Sequence, residues 1–320
     1  MSALTLRFLM FDDGAGARLG IDAVDRILDL AATERAVFGG GELPGTLLEL
    51  IKEGDKALDR VRGVLEKVDA DPDRGRFVSV AGTRRLAPIP RPEQNVLCLG
   101  LNYASHLDEA EDVLGLPVRD NLDPALAAPA PPLTMFSKRP NTVIGPDSEI
   151  PLHAGVTDQI DYEAELAFVI GREGCNIPEE QAEQHVFGYT IINEMSARDL
   201  QVRHMQVFKG KSLDGYCPMG PVVVHRSAMP KTPAQGLKLQ SRVNGELRHD
   251  TSTDLLIYDI PRALSILSQG MTLFPGDVVA TGNPAGSGIS FNPPKYLSAG
   301  DVVEVEIEGI GLLRNRIANR

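Results

Sequence analysis

Residues 161–170 read Asp161-Tyr162-Glu163-Ala164-Glu165-Leu166-Ala167-Phe168-Val169-Ile170, and the alternation inside them decides the fold. Tyr162, Ala164, Leu166, Phe168 and Ile170 alternate with Glu163, Glu165, Ala167 and Val169. Successive side chains of a strand point to opposite faces, so the pattern predicts a β-strand with one wholly apolar face. Glu163 and Glu165 share the other face, roughly 7 Å apart along the backbone. That face continues into Ala167 and Val169, so it is not simply solvated. Two carboxylates there repel and resist desolvation unless a cation lies between them. Oxygen ligands suit Mg²⁺, Mn²⁺ or Ca²⁺. The competing reading is a half-buried edge strand with two solvated glutamates.

The surrounding chain has 320 residues, room for one large domain or two ordinary ones with a substantial core. Its 31 Gly and 23 Pro favour many turns and short strands over long helices. A net charge of −12 argues against a nucleic-acid footprint and against an anionic membrane surface. Cys98, Cys175 and Cys217 show no CxxC or metal-ligand spacing, which fits a reduced, cytoplasmic setting. Residues 1–14 meet Asp12 and Asp13 before any long apolar run, unlike a signal peptide or a membrane span.

A break is visible near residue 85. Before it, residues 4–30 read as short strands with turns, and Leu47, Leu50, Ile51, Leu58, Val61, Leu65 and Val68 recur at helical spacing, interrupted near Gly54. Leu86-Ala87-Pro88-Ile89-Pro90-Arg91-Pro92 is a stiff linker by its prolines. The expectation is a small α+β N-terminal domain over 1–85 and a larger, mostly β domain over 86–320. Strands are expected at 95–99, 222–224, 238–244, 277–281 and 302–307. Residues 113–132, rich in Pro, Ala and Asp, are expected to form a mobile loop or lid.

Several constellations carry chemistry. His106 and Glu109 sit three apart, so on a helix they share a face and the carboxylate orients the imidazole as a general base. The bland alternative is a surface histidine. Tyr189–Asn193 is an apolar run ending in Glu194, followed by Ser196-Ala197-Arg198-Asp199, whose Ser-x-x-Asp pattern resembles a helix-capping box. Lys209-Gly210-Lys211-Ser212 lacks the upstream glycines of a phosphate loop and reads as a turn presenting Lys211 inward. Thr281-Gly282-Asn283-Pro284-Ala285-Gly286-Ser287-Gly288 follows a strand, and its N–H groups are candidates to cradle a carboxylate or enolate oxygen. No long helix follows, which disfavours dinucleotide binding. Lys138, Arg198 and Lys211 offer cations to an anionic substrate.

In order along the chain stand Leu99-Gly100-Leu101-Asn102-Tyr103-Ala104-Ser105-His106, Phe136-Ser137-Lys138-Arg139-Pro140, Asp161–Leu166, Asn193–Gln201, Gly210-Lys211-Ser212 and Thr281–Gly286. With these six blocks the chain from about 93 to 318 resembles the fumarylacetoacetate hydrolase family. The resemblance implies a mixed β-sandwich roll, usually a homodimer, preceded here by the small N-terminal domain. It implies one Mg²⁺ or Mn²⁺ per subunit held by Glu163, Glu165 and position 194. It further implies His106 with Glu109 as the water-activating dyad, Lys211 as an oxyanion partner, and Lys138, Arg198, Gln201, Thr281 and Gly282 as substrate-binding groups. Position 194 is Glu where the family has Asp, and Asn283 stands where the loop usually has Thr. Should Glu194 fail as a ligand, Asp161 is next by strand period.

The implied reaction is hydrolysis of the C–C bond of an acylpyruvate such as fumarylpyruvate or maleylpyruvate, giving pyruvate and a carboxylic acid. Decarboxylation of oxaloacetate and keto–enol isomerisation use the same enolate chemistry and are the alternatives within enzymes. From another class, the alternative is a metal-stabilised protein that binds a keto acid.

Overall fold

The computed structural model describes residues 4–114, 133–204 and 206–319. The chain is mostly β, in mixed, open sheets with shorter helices packed on them. The lid expected at 113–132 falls outside the described residues from 115 onward.

The strand Ala164–Ile170 lies inside the principal sheet. It is bonded antiparallel to Val186–Asn193 on one side and to Val278–Ala280 on the other. It is buried along its whole length, which excludes the edge-strand reading. The alternation separates two cores. Ala164, Leu166, Phe168 and Ile170 enter one cluster, while Ala167 and Val169 enter another. The first is covered by Leu239, Val305, Ile307 and Leu313 of a second sheet and by Ala263 and Leu264 of helix Ile260–Leu267. Helices Leu47–Glu53 and Asp55–Ala70 bring Leu50, Ile51, Val61 and Val64 to the second. The spacing expected over 46–68 is realised in these two helices. Thr46 caps the first through a reciprocal pair with Glu49, and the break falls at Gly54.

The principal sheet runs in the order Phe77–Ser79, Arg26–Asp29, Arg18–Asp22, Arg7–Asp12, Cys217–His225, Val186–Asn193, Ala164–Ile170, Val278–Ala280, Val96–Gly100, Thr134–Lys138. Neighbours are antiparallel except Val278–Ala280 beside Val96–Gly100, which are parallel. The second sheet runs Glu246–Ser252, Lys238–Val243, Val302–Ile307, Gly311–Ile317, Glu149–Ile150.

One detail departs from simple alternation. Ile160–Asp161 pairs with Ser196–Ala197 as a separate short ladder, and the main strand begins only at Ala164. Glu163 lies in the break, its N–H donating to Asn193 Oδ1 at 3.1 Å. Strand period therefore does not carry Asp161 onto the face of the glutamates.

The principal sheet also runs across residue 85. Arg7–Asp12 pairs with Cys217–His225, placing Phe8 opposite Val223, and the Phe8 ring lies 5.6 Å from that of Phe187. Residues from both sides of the expected boundary share one core cluster. Phe8 is fully buried at this junction. Phe8→Ala is expected to lower unfolding free energy by about 3–5 kcal/mol and to keep a single transition in denaturant titrations. Separate melting of the N-terminal elements would show that the shared sheet does not couple them.

Candidate active site

Antiparallel pairing assembles the acidic cluster. The beginning of one strand lies beside the end of its neighbour, so Ala164 faces Asn193. Glu163 and Glu165 thereby meet Glu194, whose N–H donates to the Glu163 carbonyl at 2.8 Å. One oxygen from each of the three carboxylates lies within 4.8 Å of the others, and all three residues are buried.

Three cations answer this charge. Lys138 is fully buried and donates to Glu194 Oε1 at 2.8 Å and to the Met195 carbonyl at 2.9 Å. Lys211, on the short helix Val207–Lys211, bridges Glu163 Oε2 and Glu194 Oε2, each at 2.5 Å. Arg198 reaches Glu163 Oε1 at 2.7 Å and Asp161 Oδ2 at 2.8 Å. Glu165 is different. It makes no ion pair among the described residues and accepts only the Gly282 N–H, at 2.8 Å.

The protonation preferences follow. Burial pushes Glu163 up, but Lys211 and Arg198 outweigh it and hold the carboxyl well below the usual range. Burial, then the charges of Glu194 and Glu163, push Glu165 well above that range. Burial also raises Glu194, against the opposing pull of Lys138 and Lys211. A buried carboxylate crowded by two others and lacking a basic partner is what a bound divalent cation would neutralise. The all-oxygen donor set suits Mg²⁺ or Mn²⁺. The residues present therefore fit the metal that the family implies.

The second half of the site is the dyad. On the helix Ala104–Leu114, His106 Nδ1 lies 2.8 Å from Glu109 Oε2. Glu109 Oε1 accepts the Gly286 N–H at 3.0 Å. Burial raises the Glu109 carboxyl, but hydrogen bonds from His106, Ser290 and Gly286 outweigh it and hold it below the usual range.

The loop 281–288 joins the two halves, and its role differs from expectation. Its N–H groups cradle carboxylates, but these belong to the protein: Gly282 serves Glu165, Gly286 serves Glu109, and Gly288 and Ile289 serve Asp161. The loop presses on backbone at Gly282 and Gly286. At Gly282 (φ +96°) a Cβ would lie 3.0 Å from the Leu99 carbonyl oxygen, and at Gly286 (φ +119°) 2.4 Å from that of Arg248.

Other expectations resolve as follows. Asp161 is bonded to Arg198 and the loop and stands outside the cluster of three glutamates. Ser196 caps no helix, because it lies in the short ladder with its hydroxyl donating to Glu163 Oε1 at 3.2 Å. Lys211 does point inward, but from a helix rather than a turn. Thr281 turns its hydroxyl to the Leu166 carbonyl at 2.9 Å. Asn283 closes the loop on itself through Pro284 and Ser287. Gln201 Oε1 lies 3.4 Å from Arg198 Nη1. Alternation marks Tyr162 as a core residue, yet its hydroxyl donates to the Gly286 carbonyl at 2.9 Å. No local signal separates it from the apolar residues of its face.

Residues 95–318 match the family described as fumarylacetoacetate (FAA) hydrolase C-terminal, and the chain belongs to this family. It is 43% identical over 295 residues to the oxaloacetate tautomerase YisK of Bacillus subtilis, covering 92% of this chain and 93% of that one. It is 33% identical to the mitochondrial oxaloacetate tautomerase fahd2 of Xenopus laevis, over 98% and 91% of the two chains. Among solved structures, the fumarylacetoacetate hydrolase of psychrophilic Exiguobacterium antarcticum superposes with a TM-score of 0.80 at 40% identity, over 99% of this chain and 100% of that one.

The acidic cluster generates a signed prediction. An acid whose folded pKa is raised contributes stability in full below its unfolded pKa and loses it as pH rises through the folded value. In chelator, Glu165→Gln is thus expected to melt increasingly above the parent as pH climbs past the ordinary carboxylate range. Its Mn²⁺ affinity, read by calorimetry, is expected to fall by more than the roughly 10–100-fold typical of losing an outer-shell partner. Unchanged Mn²⁺ affinity would remove Glu165 from the ligand set.

Proposed function

We propose that this chain catalyses the enol–keto interconversion of oxaloacetate or a closely similar 2-oxo dicarboxylate. The observation that carries the reading is the single loop holding both halves of the site, with Gly282 on Glu165 and Gly286 on Glu109. An acid–base dyad and an oxygen-lined cation site are thereby held in one rigid frame, which suits proton transfer next to a carbonyl. The resemblance to two oxaloacetate tautomerases, each over more than nine-tenths of both chains, supports this reaction among those of the family.

Glu163, Glu165 and Glu194 would hold a divalent cation, whose Lewis acidity lowers the cost of enolate charge on the substrate. His106 moves the carbon-bound proton: once the enol hydroxyl has given up its own proton on binding, Nε2 delivers a proton to C3 of the enolate, and in reverse it removes one from C3 of the ketone. Glu109, bonded at Nδ1, fixes the ring and its tautomer. Lys211 and Arg198 supply positive charge beside the acidic cluster for a dianionic substrate, while Lys138 keeps Glu194 in place. Burial of the glutamates and of Lys138 and Lys211 strengthens their interactions.

Hydrolysis of an acylpyruvate is the second reading, favoured by the structural likeness to a fumarylacetoacetate hydrolase. It needs the same frame plus a water delivered to the distal carbonyl. The two separate by product. With Mg²⁺ or Mn²⁺, enol-oxaloacetate absorbance is expected to decay faster than in buffer, with no pyruvate formed. Chelation abolishes the acceleration, and His106→Ala reduces kcat by on the order of 10²–10⁴. Pyruvate release from acylpyruvates without any acceleration of oxaloacetate ketonisation would favour hydrolysis.

A further inference from the structure

We infer that Tyr162, in the break before the strand Ala164–Ile170, is a positioning residue that couples the segment carrying Glu163 to the His106–Glu109 dyad. The inference rests on the acid–base role given above to His106. Tyr162 directly precedes Glu163, and it is fully buried. Its hydroxyl donates to the Gly286 carbonyl at 2.9 Å, and the N–H of the same Gly286 donates to Glu109 Oε1 at 3.0 Å. Glu109 Oε2 then meets His106 Nδ1 at 2.8 Å. One glycine is therefore gripped at its carbonyl by the residue next to Glu163 and holds the dyad carboxylate at its amide.

The grip is backed from behind. Arg248 Nη1 donates to the Tyr162 hydroxyl at 3.3 Å. The Tyr162 ring meets the His249 ring edge-on, with centroids 5.5 Å apart. His249 is itself tied by Nδ1 to Ser241 Oγ at 2.7 Å, and both are fully buried. Strand Glu246–Ser252 also presses against Gly286, where no side chain fits. The loop cannot retreat toward that strand, so the Tyr162 hydrogen bond sets how far Gly286 leans toward Glu109.

Tyr162→Phe removes one oxygen and leaves the packing. Loss of one neutral hydrogen bond predicts a drop in kcat of about tenfold or less, with KM for oxaloacetate and Mn²⁺ affinity unchanged. In the His106→Ala background the same substitution is expected to cost nothing, because its effect passes through the dyad. A second readout does not depend on turnover. The His106 Nδ1 proton, followed by NMR in labelled protein and assigned by its loss in His106→Ala, is expected to exchange with solvent faster in Tyr162→Phe. An unchanged kcat, an equal loss in the His106→Ala background, or a parallel loss of Mn²⁺ affinity each overturns the assignment. If the parent does not ketonise oxaloacetate, the functional reading falls alone, and proton exchange still decides the role of Tyr162.

Discussion

Three carboxylates share one buried corner of the principal sheet, and much of the structure answers their repulsion. Burying a charge without a partner costs several kcal/mol, so the corner cannot exist without nearby cations and donors. Lys138, Lys211 and Arg198 converge on Glu163 and Glu194 from three separate segments. Glu165 is left to one backbone N–H. That asymmetry is chemically useful. It leaves one carboxyl without a basic partner among the described residues, so that it holds a proton readily and would exchange it for a divalent cation.

Burial of this corner depends on cover over both faces of the strand Ala164–Ile170. One cover comes from helices between residues 47 and 70, the other from the second sheet and the helix Ile260–Leu267. The N-terminal segment is therefore part of the dielectric setting of the site. It helps to exclude water from the region behind the ligands, and its first strand extends the same sheet.

The loop 281–288 distributes this rigidity. Its amides are committed to Glu165, Glu109 and Asp161, so a carboxylate of the acidic cluster, the carboxylate of the dyad and the Arg198 partner are all referenced to one short backbone segment. Prearranged donors need no reorganisation when charge develops on a substrate. The same frame accommodates ketonisation or hydrolysis, because both pass through enolate-like charge.

The sequence by itself determined the features that follow local periodicity. Alternation over 161–170 marked a strand and its paired glutamates, three-residue spacing marked the contact of His106 with Glu109, and helical spacing with Gly54 marked the two covering helices. Each is a property of residues close along the chain, and six ordered motifs added the family. Only the tertiary structure decided the partners. Lys138 was legible as a cation but not as the buried anchor of Glu194. The loop amides were legible as carboxylate binders, but not that the carboxylates were Glu165, Glu109 and Asp161. Tyr162 was legible as core, but not as a donor to Gly286, 124 residues away. These contacts arise where strand pairing and close backbone approach bring distant segments within hydrogen-bond range. Such proximity leaves no period in the sequence, because it depends on how the sheets and their covers pack together.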